Sequence, residues 1–147
     1  MSVQLTWNDL LIEDFTPEQA DQWLSEWSWL VKGEVAPLFL SKFGDWFLRR
    51  PNGSTQLLDV LEGGLSTIAA TPEEFQAQVN SKEWQEERLL SALIYGFHEK
   101  GIIPGPGQCY ALAPHPALVG KINPDSVIVM DILVWESICS QVFEGSA

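Results

Sequence analysis

The chain has 147 residues, enough for one domain with a single hydrophobic core. Twenty acidic side chains against eight basic ones give a formal net charge of −12, which argues against nucleic acid or an anionic membrane surface and fits either solubility alone or a basic protein partner. No run approaches the ~20 apolar residues of a membrane-spanning helix, and no basic segment followed by an apolar stretch opens the chain, so a cytoplasmic location is expected.

Residues 1–36 read as an acidic helical segment, because the first 31 hold six acidic side chains and no basic one. Thr6 is placed to cap a short helix from Trp7 to Ile12. Thr16-Pro17-Glu18-Gln19 is a stronger start: a capping Thr, Pro at the first helical position, and Gln at the third. The helix that follows sets Ala20, Trp23, Leu24 and Trp27 on one stripe. Residues 37–70 predict antiparallel strands. Pro37 to Arg50 reads as extended with a bend or bulge at Gly44. Asn52-Gly53 supplies a tight turn between Phe43–Leu48 and Gln56–Val60, the first hairpin, and Glu62-Gly63-Gly64 leads into a strand over Leu65–Ala69.

Residues 71–101 predict helices. Thr71-Pro72-Glu73-Glu74 repeats the capping pattern ahead of a short helix to Val79. Ser81 caps one long helix over Lys82–Lys100, with Leu89, Leu90, Leu93, Ile94 and Phe97 as its apolar stripe and Gly101 as its stop. Residues 102–130 combine a loop at Ile103–Gln108 with a strand at Cys109–Leu112 and an apolar strand at Val127–Met130, expected to be buried on both faces. Residues 131–143 form a last helix, capped by Asp131, with Ile132, Trp135, Cys139 and Val142 on one stripe. The sum is a single α+β domain: a mostly antiparallel sheet of about five strands packed against helices on one face, behind an N-terminal helical segment.

The residue chemistry points away from catalysis. Cys109, Cys139, His98 and His115 lack the close spacing of a zinc site, so no metal and no cofactor is expected. Gly105-Pro106-Gly107 lacks the lysine of a phosphate loop, and its prolines remove backbone donors. Adjacent acids such as Glu73-Glu74 and Glu86-Glu87 diverge on a helix and read as solvated faces. Asp45 and Asp131 are expected to hydrogen-bond to backbone. No catalytic residue set is assigned.

Four segments carry a family resemblance: Phe43-Gly44-Asp45, Thr71-Pro72-Glu73-Glu74-Phe75, Gly105-Pro106-Gly107-Gln108-Cys109-Tyr110 with Pro116–Gly120, and the passage Val127–Phe143. Taken over residues 20–143, the chain resembles the bacterial domain at the C-terminal end of type VI secretion immunity proteins. There it follows a GAD-like domain; it also occurs alone, as a domain of unknown function. With no GAD-like domain before the match, this chain resembles the stand-alone form. Trp135 stands where family members often carry a His in the last helix. The resemblance implies an α+β fold and no catalytic residues.

Together, charge and resemblance lead to a cytoplasmic protein-interaction module, not an enzyme. Its role would be that of an immunity protein that neutralises a toxin by covering a basic surface. Glu13, Asp14, Glu18 and Asp21 are the candidate acidic patch, with Trp23 as an aromatic anchor if exposed. The alternative is a small-molecule-binding or enzymatic domain with a pocket near residues 105–120, lined by Cys109, Tyr110 and His115. A third reading is a homo-oligomer joined through its aromatics.

Overall fold

A computed structural model describes residues 5–144. A short helix α1 (Trp7–Leu10) runs directly into strand β1 (Leu11–Ile12), so the helix expected to reach Ile12 stops two residues early. Helix α2 (Pro17–Ser25) starts as its sequence predicts: the Thr16 hydroxyl accepts from the Gln19 amide at 3.1 Å, and the Gln19 side chain accepts from the Thr16 amide at 2.9 Å. Its stripe of Ala20 and Trp23, continued by Trp27 in the turn beyond, is buried.

Strands β2 (Ala36–Ser41), β3 (Trp46–Arg49), β4 (Thr55–Asp59) and β5 (Gly64–Ala69) follow, and with β1 they form a five-stranded antiparallel sheet in the order β1-β2-β3-β4-β5. This is the α+β, antiparallel architecture that the turn spacing predicts. Gly44, read as a bend, is a hairpin turn: its φ is +95° and its amide donates to the Ser41 carbonyl at 3.1 Å. The first large hairpin is therefore β2–β3, and the Asn52-Gly53 hairpin is the next one. That turn is also longer than a two-residue loop. Gly53 alone takes a positive φ, while Asn52 Oδ1 accepts from the Ser54 amide at 2.9 Å.

The apolar cover lies on both faces of the sheet, not one. Along β3, Trp46 and Leu48 belong to one core cluster and Phe47 to the other, and along β4 Leu58 and Leu57 divide the same way. A run of consecutive apolar residues, rather than an alternation, is the signature of a strand buried on both sides. Helices α3 (Pro72–Val79), α4 (Lys82–Arg88) and α5 (Ser91–Glu99) supply Phe75, Trp84, Ile94 and Phe97 to one face. The other face receives α2 and helix α7 (Ile132–Glu144).

The single helix expected over Lys82–Lys100 is broken at Leu89–Leu90. Leu90 adopts a left-handed φ of 55°, costly for a branched side chain, and the chain turns so that Leu89 and Ile94 both reach the core. Strand β6 (Gln108–Leu112) pairs antiparallel with β7 (Val127–Asp131) as a separate two-stranded ladder. The short helix α6 (Pro116–Val119) and a 3-10 turn at Pro124–Ser126 lie between them. β7 is not buried on both faces as expected, since Ile128 is 41% exposed. The ladder is tied to the main sheet by the Tyr110 amide, which donates to the Lys42 carbonyl at 2.7 Å.

At the β4–β5 turn, Gly63 has φ +78°, and a Cβ there would overlap the Phe143 ring of α7. Gly63→Ala is expected to lower stability by about 1–3 kcal/mol, through the positive φ and the displaced ring. Urea denaturation should show a lower midpoint with an unchanged slope.

Candidate functional site

Polar groups are concentrated where α7 meets the β2–β3 turn. Helix α7 buries Glu136 and Ser140 beside the predicted stripe of Ile132, Trp135 and Cys139. Glu136 is fully buried, and its Oε1 accepts from the Trp46 indole N–H at 2.8 Å. Its Oε2 and the Trp27 indole N–H have no hydrogen-bond partner. Burial pushes the Glu136 carboxyl well above the ordinary range, reinforced by the nearby charge of Asp45 and opposed by the hydrogen bond from the Trp46 indole. A carboxyl so enclosed is held as the neutral acid. The Trp135 indole donates to the Phe43 carbonyl at 2.7 Å, which fixes the turn from the same helix.

Asp45 lies on the other side of Gly44. Its Oδ1 accepts from the Val60 amide at 2.9 Å, and its Oδ2 accepts from the Ser41 hydroxyl at 3.1 Å. This is the backbone role expected for it. Burial, with the charge of Asp59 adding to it, raises Asp45 to about 7. The hydrogen bonds continue outward. The Val60 carbonyl is 2.9 Å from His115 Nε2, and His115 Nδ1 accepts from the Ala117 amide at 3.0 Å. An amide can only donate, so Nδ1 is unprotonated and the proton sits on Nε2. Burial lowers the His115 pKa, consistent with this neutral form.

The residues singled out from sequence fall into two groups. Glu13, Asp14, Glu18 and Asp21 are all exposed. Glu18 and Asp21, three apart, share the wet side of α2, while Glu13 and Asp14 border a hollow shared with Lys42 and Pro104–Gln108. Trp23 is only 5% exposed and packs on Phe15 and Trp46 at ring distances of 6.0 and 6.4 Å, so it is core and not an anchor. The exposed tryptophan is Trp7, at 42%.

Cys109, Tyr110 and His115 are also buried and do not line a pocket together. Tyr110 donates from its hydroxyl to the Ile102 carbonyl at 2.6 Å, and burial raises its pKa to about 12. Burial likewise pushes both thiols far up, Cys109 and Cys139 alike, which leaves them protonated and poor nucleophiles. Among the described residues, no group of three or more His, Cys, Asp or Glu could hold a metal ion.

A hollow of about 490 Å³ does lie near the expected region, on a different set of side chains. Asp45, Asp59, Glu62, Glu87, Arg88 and Lys121 give it its polar lining, and Pro116, Ala117 and Ile122 form one wall. Glu136 was missed by the sequence reading, although it stands four residues after Ile132 and four before Ser140 on the buried side of α7. That spacing was the available signal. A lone acid on an apolar stripe marks a buried carboxyl, not a break in the stripe.

No family model matches the chain, and no curated protein matches it. Among solved structures, the crystal structure of Atu4351 from Agrobacterium tumefaciens is similar, with a TM-score of 0.60 at 17% sequence identity. The match covers 86% of this chain and 65% of that one, so this chain spans less than two thirds of that protein's length. Identity this low speaks to the fold alone.

Two outcomes are expected. Gly44→Ala would bring a Cβ to 2.9 Å from both Glu136 Oε2 and Trp135 Cδ1 at φ +95°, so a loss of about 2–4 kcal/mol is expected by chemical denaturation. Glu136→Gln addresses the proton. A raised acid pKa means that the native chain keeps a proton that the unfolded chain releases above the ordinary value of 4.5. Stability from this group therefore falls as pH rises through that value toward the native pKa, by up to about 1.4 kcal/mol per pH unit. His115 acts oppositely, its contribution being lost as pH falls below 6.5. The difference between wild type and Glu136→Gln reports the acid together with its interaction with Asp45: the variant should gain relative stability as pH rises above 4.5, and a constant difference would refute a buried neutral Glu136.

Proposed function

We propose that the chain is a cytoplasmic, non-catalytic protein-interaction module that covers the basic surface of a partner protein. The single observation that carries the reading is the arrangement of charge. Glu13, Asp14, Glu18 and Asp21 are exposed along a segment with no basic residue before Lys32, in a chain of net charge −12. Such a surface accelerates encounter with a positive partner and repels polyanions. Asp45, Tyr110 and His115 give their polar atoms to backbone partners, which also favours a module without chemistry of its own.

The resemblance to the C-terminal domain of type VI secretion immunity proteins gives this reading its specific form. The partner would be a toxin, and neutralisation would be occlusion of its basic surface. A second reading, a small-molecule or enzymatic site, draws on the hollow beside residues 116–122. The side chains first expected to line such a site are instead buried.

The test is binding of the intact chain to the product of the adjacent gene at low and high salt. The comparison is a fourfold variant carrying Glu13→Gln, Asp14→Asn, Glu18→Gln and Asp21→Asn. Association is expected to slow by about tenfold or more in the variant, and wild-type binding should weaken with salt. Absence of binding at low salt, or a variant that associates as fast as wild type, would overturn the proposal.

A further inference from the structure

The hollow and the segment beside it form a second surface, remote in sequence from the N-terminal acids. Its wall carries the carboxylates of Asp45, Asp59, Glu62 and Glu87 against the cations of Arg88 and Lys121. Even with Asp45 protonated, three carboxylates face two cations, so the surplus is negative. Asp59 is held rigidly, because its Oδ1 accepts from the Leu61 and Glu62 amides, both at 3.0 Å. A fixed carboxylate loses little entropy on meeting a guest.

Next to this wall the chain exposes Leu118 at 68%, Val119 at 48% and Ile122 at 40%. Three large aliphatic side chains within five residues form an apolar lip. A small molecule inside the hollow would leave that lip in water, whereas a protein surface would cover it. The lip is also held in place, since the Ala117 amide donates to His115 Nδ1 and the Gly120 amide to the Pro116 carbonyl at 2.8 Å.

We propose that this hollow is the socket for an arginine or lysine side chain of a protein partner, with Leu118, Val119 and Ile122 packing on the apolar residues that flank it. The proposal rests on the reading of the chain as a module for a basic protein, and it names a contact for which the N-terminal patch is not needed. The socket gives specificity by seating one cation against Asp59 and Glu62. The lip gives residence time by excluding water around it.

The experiment is an amide-shift NMR titration of the full chain with three probes. They are the peptide Ac-Leu-Arg-Leu-NH2, its citrulline counterpart of the same shape without charge, and free agmatine. The arginine peptide should give saturable shifts at Asp59, Glu62, Lys121 and Ile122, and the citrulline peptide should bind about tenfold more weakly. Asp59→Asn with Glu62→Gln, which keeps the turn acceptor, should weaken the arginine peptide about tenfold. Leu118→Ser with Ile122→Ser, at exposed positions, should bring the peptide down to the affinity of agmatine.

The fourfold N-terminal variant should bind the arginine peptide as wild type does, which separates this proposal from the N-terminal one. Several results would overturn the socket: no saturable shift, equal binding of the citrulline peptide, or shifts confined to residues 13–21. Agmatine binding as tightly as the peptide would overturn it as well, in favour of a small-molecule site.

Discussion

The carboxyl of Glu136 under the β2–β3 turn is the constraint around which the rest of the protein is arranged. A polar group at 0% exposure must be neutral or paired, and here it is held as an acid against the Trp46 indole. That requirement fixes several other features. Residue 44 must lack a side chain, because Glu136 and Trp135 occupy the space a Cβ would take. Trp135 must face the turn, where its indole meets the Phe43 carbonyl. One turn later on α7, Ser140 accepts from the Trp29 indole at 2.7 Å and donates to the Glu26 carbonyl, which ties α7 to the segment after α2. Residues 90 to 114 positions apart are thereby locked into one arrangement.

The elements with local causes were legible in the sequence. Thr16 with Gln19, Thr71 with Glu74 and Ser81 with Trp84 make the cap contacts that their spacing implies. Gly101 ends α5 with φ +76°. These features depend on a few adjacent residues, so a sequence window contains them whole. The break at Leu89–Leu90 was not legible, because no Gly or Pro marks it. Helix propensity favours continuity there, and only the demand that Leu89 and Ile94 reach the core against Phe47 and Trp84 overrides it. Two-sided burial of the sheet was written in Trp46-Phe47-Leu48, yet a short apolar run alone does not say what lies on its second face.

The candidate site was legible as a total charge and not as a geometry. The exposure of Glu18 and Asp21 followed from their position opposite the α2 stripe, while Glu13 and Asp14 lie in the segment before that helix. Trp23 went the other way for the same reason: it belongs to that stripe, and its aromatic neighbours Phe15 and Trp46 come from parts of the chain that no helical spacing reveals. Cys109, Tyr110 and His115 share the one segment, residues 105–120, in which a pocket is expected from the sequence. In the fold, β6 carries the first two into separate core clusters, and His115 turns inward to Val60. The acidic hollow draws on the segments around residues 45, 59, 88 and 121, and its composition is a tertiary fact.

The buried network and the outer surface are physically connected, and one chain of hydrogen bonds makes the connection. Asp45 accepts from the Val60 amide, the Val60 carbonyl accepts from His115 Nε2–H, and His115 Nδ1 accepts from the Ala117 amide. Each link consumes a donor or acceptor that would otherwise be stranded in the interior, so each holds the next in orientation. The first group in the chain has a carboxyl raised to about 7, and the last is the amide in helix α6, whose segment carries the apolar lip. The position of that lip is therefore set from inside the protein, by the same turn that receives α7. A surface segment of four helical residues has too few contacts to hold itself in place. Anchored through a neutral His115 to the Val60 carbonyl just beyond the end of β4, it becomes a rigid edge beside the rigid carboxylate of Asp59.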